Sequence, residues 1–272
     1  MEIKARAKVN LCLHVVGQRE DGYHLLDSLV VFADIGDDIS VEPDNKFLLE
    51  IDGPFAAGLS NGSDNLVLRA AKMYENTCNG AAIRLTKTLP ISSGIGGGSA
   101  DAAAVLRAIS DMSGAPIPAD NGLSLGADVP VCLMGSACRM RGIGGELTPL
   151  HNIPTLNAVL VNPNVSVSTP EIFRALDCKT NPNIGDFDGT NFLEELKNTR
   201  NDLQKTAIQI EPIIADCLAS LMQSDANFVR MSGSGATCFG LFDSASNASH
   251  AAKIIKKDHP EWWVAPCVLN GA

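Results

Sequence analysis

Residues 94–99 read Gly-Ile-Gly-Gly-Gly-Ser and run straight into an alanine-rich stretch that starts at Ala100. With no Cβ in the way at Gly94, Gly96, Gly97 and Gly98, backbone amides can approach an anion closely, and a helix starting there adds N–H groups and the positive end of its dipole. Such a segment can cradle phosphate, with the Ser99 hydroxyl beside it. It is not a Walker loop, because no Gly-Lys-Ser/Thr follows, and Ser99 stands where a G-x-G-x-x-G pattern needs its last glycine. Taken alone, the cluster also fits a flexible loop before a helix.

Other chemistry-bearing residues are scattered. Asp128 is set between Gly126 and Pro130, ahead of the apolar run Val129–Met134, which reads as a short strand. That placement fixes its backbone and leaves it half buried; by itself it equally suits a turn or cap residue. Lys8 and Asn10 are two residues apart and share one face of a strand, where a lysine is less usual than on a helix surface, although Lys8 taken singly reads as solvated. Tyr23-His24 follows Gly22 in a turn, an arrangement able to stack on a base and read its edge, or simply a surface turn with an aromatic plug. Met231-Ser-Gly-Ser-Gly-Ala-Thr-Cys238 is a second tight loop before a strand, able to close over a ligand or to make a βα turn.

The elements that must carry these residues follow from periodicity. In 8–16, Val9, Leu11, Leu13 and Val15 alternate with Lys8, Asn10, Cys12 and His14, which predicts a half-buried strand. Strands are expected at 25–32 and 38–41, a loop at 52–63, a helix over 64–75 capped by Ser63 or Asp64, and a short strand around Ile83 and Leu85. The helix over 100–109 is the strongest pattern, and 111–126, rich in Gly, Pro, Ser and Asn, should be mostly loop. After a polar break at 151–154 come a strand at 158–161, helices near 170–175, 192–198, 203–209 and 213–223, a strand at 238–242, a helix at 245–257 and a strand at 263–269. The β-α-β runs are too short for a doubly wound sheet, so the class is α+β with a break near 150.

Composition narrows the function classes. The 272 residues carry 21 basic and 31 acidic side chains, a net charge of −10, with no Lys/Arg-rich run. That argues against a nucleic-acid or anionic-membrane partner, since both need a positive footprint. No apolar run approaches a bilayer span, the N-terminus resembles neither a signal nor a transit peptide, and the eight scattered cysteines read as buried free thiols, together pointing to a reducing, cytoplasmic setting.

The motifs also share an order. Ala7-Lys8-Val9-Asn10-Leu11, Asp21-Gly22-Tyr23-His24, Gly94-Ile-Gly-Gly-Gly-Ser99-Ala-Asp-Ala-Ala, Leu125-Gly126-Ala-Asp128-Val-Pro130 and Gly233-Ser-Gly235-Ala-Thr, with Asp64-Asn65-Leu66-Val67, Val167-Ser-Thr-Pro170 and Arg200-Asn-Asp-Leu203 between them, resemble the GHMP small-molecule kinases from residue 7 to about 240. The resemblance implies a GHMP kinase fold: an N-terminal ATP-binding domain over 1–150 like the second domain of ribosomal protein S5, and a ferredoxin-like C-terminal domain over 151–272. It implies ATP and Mg²⁺ as cofactors, with ATP on Gly94, Gly96, Gly97, Gly98 and Ser99, and Asn65 on the adenine side. Lys8 and Asp128 would be catalytic, and Asn10, Tyr23, His24 and Phe173 would bind substrate. The A-K-x-N-L and D-G-Y-H pair points to the branch that phosphorylates a cytidine diphosphate-linked methylerythritol for non-mevalonate isoprenoid synthesis, the base stacking on Tyr23 and Phe173. One departure stands out: the stretch between the Ala100 helix and Gly126 is several residues shorter than in the family and holds Pro116 and Pro118, which leaves the family's helix there open.

On that resemblance, Asp128 would accept the hydroxyl proton, Lys8 would favour the ionised carboxylate and offset developing charge, and the glycine-loop amides would hold the β and γ oxygens. No protein ligand set for Mg²⁺ is evident, so it would be held mainly by ATP oxygens and water. The competing readings are a GHMP kinase for mevalonate, homoserine or a sugar, and a GHMP-fold binding protein without turnover. A nicotinamide oxidoreductase is more distant, because the glycine spacing fails.

Overall fold

The computed structural model describes residues 1–270. Contacts between Cα atoms gather the chain into two compact units, one of Met1–Ala7, Ile35–Ile91 and Gly96–Gly135, the other of Lys8–Asp34, Ser92–Ile95 and the described residues from Ser136 onward. The grouping is interleaved because β1 (Glu2–Gln18) and β2 (His24–Pro43) each give residues to both units.

In the first unit, residues 38–43 of β2 pair antiparallel with β4 (Ala81–Thr86), which pairs in parallel with β3 (Phe47–Asp52). Gly36 lets the strands close up, since a Cβ there would stand 2.2 Å from the Ala5 carbonyl oxygen. Three helices complete the unit: α1 (Leu66–Lys72), α2 (Gly97–Ser113) and α3 (Val129–Met134), with α2 packed between the other two. The alanine run of α2 lets it bury nearly its whole length, Ala100 through Leu106 included, and Gly114 ends it in the left-handed conformation.

The second unit is built on an antiparallel sheet in the order β10 (Trp263–Leu269), β7 (Leu156–Asn162), β9 (Cys238–Phe242), β8 (Phe228–Met231), with β10 touching β2 at Leu269 and Ala33. Helices α7 (Ile213–Gln223) and α8 (Ala245–Asp258) pack on this sheet through Ile214, Cys217, Leu221, Ala248, Ala251 and Ile255. The shorter helices α4 (Thr169–Arg174), α5 (Phe192–Lys197) and α6 (Gln204–Ile210) lie in the connection after β7. Residues 26–30 of β2 also pair with β5 (Cys138–Gly142), which forms a hairpin with β6 (Glu146–Pro149).

Several expectations are corrected. The run at 129–134 is a helix and not a strand: Pro130 suits a first turn and Gly135 closes it in the left-handed region, signals that outweigh two β-branched valines. The two strands expected at 25–32 and 38–41 are one continuous strand. The first strand is buried on both faces over 7–15, polar residues included. The cap of α1 is Asn65 rather than Ser63 or Asp64. The loop at 232–237 joins antiparallel strands, so it is a hairpin turn and not a βα turn. β3, β5, β6 and β8 have no counterpart in the sequence reading. Residues 114–126 hold no helix, as their composition implied.

Candidate active site

The glycine cluster does three different jobs. Gly94 and Gly96 take φ of 75° and 66°, where a Cβ is strained, and a Cβ on Gly94 would stand 2.5 Å from the Ser232 carbonyl oxygen. Gly96 is the N-cap of α2, its carbonyl accepting from the Ala100 N–H at 2.8 Å. Gly97 is not left-handed; its constraint is space, since a Cβ would come within 3.1 Å of Lys87 Nζ. Gly98 is exposed with nothing within 4 Å of its would-be Cβ, so the room beside it is left open. Half-buried Ser99 follows. No acidic side chain occupies the first turn of this 17-residue helix, which keeps the positive end of the dipole uncancelled.

Behind the helix start lies a buried charge cluster that sequence reasoning missed. Lys87 Nζ donates to Asp37 Oδ2 and, at 2.7 Å, to Asp101 Oδ2, with all three side chains at most 3% exposed. Asp37 Oδ1 also accepts from the Thr88 and Leu89 N–H groups at 2.6 and 2.8 Å, tying the end of β4 to β2. Burial pushes the Asp101 carboxyl up to about 7, opposed by the Lys87 ammonium and reinforced by the Asp37 charge. Burial alone would lower Lys87, but the two carboxylates outweigh it and hold its pKa above the usual value. The signal in sequence was weak: a lysine ending a strand and an aspartate inside an alanine helix.

In the second unit, Lys8 and Asn10 are both buried on β1. Lys8 Nζ donates to Asn10 Oδ1 at 2.7 Å, Asn10 Nδ2 donates to Ser28 Oγ at 2.8 Å, and the Asn10 N–H donates to Ser232 Oγ at 3.0 Å. Ser232 Oγ in turn donates to the Gly94 carbonyl at 3.1 Å, joining β1 to the head of the glycine cluster. Asn201 holds the same hairpin turn, its Nδ2 donating to the Met231 and Gly233 carbonyls at 2.8 Å each. The polar face of the first strand is thus a buried network and not a solvated edge.

Tyr23 and His24 behave differently from one another. Tyr23 is 62% exposed in a turn closed by the Arg19 N–H donating to the Tyr23 carbonyl at 2.8 Å. His24 stacks on Phe173 of α4 with centroids 4.8 Å apart and planes 25° from parallel, while its Nε2 is buried without a hydrogen-bond partner. Burial, then the positive charge of Lys179, lowers the His24 pKa, which favours the neutral ring. Sequence reading brought Tyr23 and Phe173 together only through family resemblance; the structure places Phe173 against His24.

Further along the same unit, buried Asp27 takes two hydrogen bonds of 2.7 Å from Arg139 and one of 2.9 Å from the Ile184 N–H, and so fastens the segment after α4. Burial would raise the Asp27 pKa, but these bonds and charges bring it below the usual carboxylate value.

Two further expected site residues lie in the first unit, as Gly96 to Ser99 do. Asp128 is half buried at the N-cap position of α3, yet its side chain makes no cap hydrogen bond to that helix. Asn65 caps α1, Oδ1 accepting from the Val67 N–H at 2.9 Å and Nδ2 donating to the Ser60 carbonyl at 2.6 Å, so its side chain is engaged in local structure. Among the described residues, no three His, Cys, Asp or Glu side chains gather as a metal site, and no helix is long and apolar enough to cross a membrane. None of the eight cysteines is in a disulfide, and six of them are buried.

The chain matches known proteins along its length. Residues 65–136 match the GHMP kinases N terminal domain and residues 180–261 the GHMP kinases C terminal domain. It is 53% identical over 273 residues to 4-diphosphocytidyl-2-C-methyl-D-erythritol kinase of Ruegeria pomeroyi, covering 97% of this chain and 98% of the relative. It is 52% identical to the protein of the same name from Dinoroseobacter shibae, covering 98% and 94%. A crystal structure of 4-(cytidine 5'-diphospho)-2C-methyl-D-erythritol kinase superposes with a TM-score of 0.84 at 33% identity over 100% of both chains. Homoserine kinase from Cytophaga hutchinsonii, at 18% identity and a TM-score of 0.71 over 98% of this chain and 93% of that one, shares the fold.

Proposed function

The chain belongs to the GHMP kinase family, and we propose that it transfers the γ-phosphoryl group of ATP to the 2-hydroxyl of 4-diphosphocytidyl-2-C-methyl-D-erythritol, a step of the non-mevalonate isoprenoid precursor pathway. The family are small-molecule kinases, and the relatives bearing this name match the chain almost end to end. The observation that carries the cytidine part is the His24–Phe173 pair: an aromatic face beside an imidazole nitrogen that is buried without a partner, next to exposed Tyr23. A pyrimidine base offers a face to stack and a ring edge to bond that nitrogen. Mevalonate, homoserine and sugars offer no aromatic face to stack.

The roles follow from the chemistry of phosphoryl transfer, in which positioning and charge do most of the work. Asp128 takes the proton from the attacking hydroxyl as the oxygen–phosphorus bond forms and the bond to the ADP oxygen breaks. Lys8, buried and held by Asn10, supplies positive charge against the charge that develops. The amides around Gly94, Gly96, Gly97 and Gly98 hold the phosphate oxygens, supported by the open space at Gly98 and the uncancelled dipole of α2. Asn65 lies on the adenine side through its backbone, its side chain being spent on the cap. The Ser99 hydroxyl would be the protein's contribution to holding Mg²⁺, with ATP oxygens and water supplying the rest, and the ion would neutralise phosphate charge there. Asn10, Tyr23, His24 and Phe173 bind the acceptor.

The division at 150 into an ATP-binding and a ferredoxin-like domain belongs to the same proposal and is supported by family matches on either side of that position. So does a cytoplasmic location, supported by the buried free thiols. The test is direct: incubate the protein with Mg-ATP and, separately, the cytidine-linked substrate, free methylerythritol, homoserine and mevalonate. Phosphorylation of the first alone is expected. Turnover of another acceptor at a similar rate would overturn the substrate assignment, and ATP left intact with every acceptor would overturn the kinase reading.

A further inference from the structure

A hydroxyl that belongs to none of the motifs above decides which way the Asn10 amide faces. Ser28 sits in β2, fully buried and paired across the sheet with Met140 of β5. Its Oγ donates to the Cys12 carbonyl at 2.6 Å and receives Asn10 Nδ2 at 2.8 Å. A serine hydroxyl has one proton. With that proton on the Cys12 carbonyl, Ser28 can only accept from its other neighbour, so the Asn10 side chain must present its NH₂ group to Ser28. The amide oxygen then faces Lys8 Nζ, 2.7 Å away, where an ammonium can only donate. Reversing the amide would set NH₂ against NH₃⁺ and leave an oxygen lone pair against a hydroxyl oxygen. The chain from the Cys12 carbonyl through Ser28 and Asn10 to Lys8 therefore has one allowed direction, set by a backbone carbonyl that cannot turn.

The main chain of Asn10 is fixed independently by its N–H donating to Ser232 Oγ at 3.0 Å. The long lysine side chain turns about four rotatable bonds, and its hydrogen bond to Asn10 helps to set where its ammonium sits. Asn10 makes that contribution only while its amide is held in one orientation. Lys8, Asn10 and Ser28 are 3%, 1% and 0% exposed, so water does not readily replace a missing member.

We infer that Ser28 is a positioning residue for phosphoryl transfer, orienting the Asn10 amide and through it the Lys8 ammonium. This rests on the role given to Lys8 above. Ser28→Ala should lower kcat about tenfold or more, with KM for ATP changed less than about threefold, because ATP does not meet the hydroxyl. Ser28→Thr keeps the hydroxyl and should recover most of the loss. The decisive comparison is the cost of Ser28→Ala in wild-type and in Lys8→Met backgrounds, each checked for a cooperative melt. If Ser28 acts through Lys8, the second cost should shrink to about twofold or less, since the group it positions is gone. Should the alanine variant not fold, Ser28→Cys, close in size and a poor donor, carries the same comparison. An equal fold-loss in both backgrounds, with Lys8→Met itself slow, overturns the role of Ser28 alone. A Lys8→Met enzyme with wild-type kcat overturns the reading of Lys8, and this inference with it.

Discussion

His24 and Phe173, 149 positions apart in sequence, lie face to face with ring centroids 4.8 Å apart, and the histidine keeps a buried Nε2 without a partner. Neither ring could hold that position alone: the histidine starts β2 and the phenylalanine rides on a six-residue helix whose Ser168 cap accepts from the Glu171 N–H. The pair makes one wall of aromatic surface while Tyr23 stays in solvent beside it.

The first prediction separates the two aromatics. Tyr23→Ala should leave the melting temperature unchanged, because the side chain is exposed, and should raise KM for the cytidine substrate by the about 1–3 kcal/mol of a lost base stack. Since stacking is present in ground and transition states alike, kcat should hardly move. Phe173→Ala should do both, raising KM and lowering stability through the lost His24 contact. An unchanged KM in both variants, from initial rates at saturating ATP, would remove the base-binding role.

The glycines should not be equivalent. Gly98→Ala meets no atom, so the protein should melt normally, yet ATP should bind at least about tenfold more weakly because a methyl group enters the space left for phosphate. Gly94→Ala should instead destabilise the fold, combining a left-handed φ with a contact of 2.5 Å to backbone. Gly97→Val should weaken ATP more than the acceptor and displace the Lys87 ammonium. Calorimetric titration with an ATP analogue, beside thermal melts, reads all three; normal ATP affinity in Gly98→Ala means the cradle is elsewhere.

Asp128→Asn should lower kcat roughly 10²–10⁴-fold with near-normal ATP binding, as loss of a general base does. The side chain does not cap α3, so the helix should survive the change. Near-wild-type turnover in a well-folded variant removes Asp128 from the chemistry.

Asp101 should make stability depend on pH. Its carboxyl sits at about 7 in the folded protein against an ordinary 3.8, so the folded state binds the proton more tightly than the unfolded chain does between those values. Stability from this group is therefore greatest at low pH, falls as pH rises from about 4 to about 7, by at most about 1.4 kcal/mol per pH unit, and is level above that. Asp101→Asn mimics the neutral acid and should remove the slope. Melting temperatures of both proteins from pH 5.5 to 8.5 provide the check: parallel curves would mean that Asp101 keeps one charge state throughout.

Much of this was readable in one dimension. The glycine cluster, Asp128 between Gly126 and Pro130, and the Tyr23-His24 turn all stand out because backbone geometry and capping are local, decided by a residue and its few neighbours. The same holds for α7 and α8, whose apolar period announces one buried face, and for β7 and β9, whose short unbroken apolar runs announce strands buried on both faces. The helix at 129–134 was also locally encoded, in Pro130 and Gly135, but the β-branched run spoke louder.

What the tertiary structure alone decided is where polar groups find their partners. Lys8 reads in sequence as a solvated lysine on a strand; it is buried beside Asn10 of the same strand, which is answered by Ser28 from β2 and by Ser232 from a turn more than 200 residues away. Asp37 comes from a strand, Lys87 from the residue after one and Asp101 from a helix, and none carries a mark of the others in its own neighbourhood. Composition and spacing can determine which residues are able to do chemistry, because torsions and caps cost free energy locally. The partner of a buried charge is set by long-range packing, because desolvation is repaid only by groups that the fold brings together.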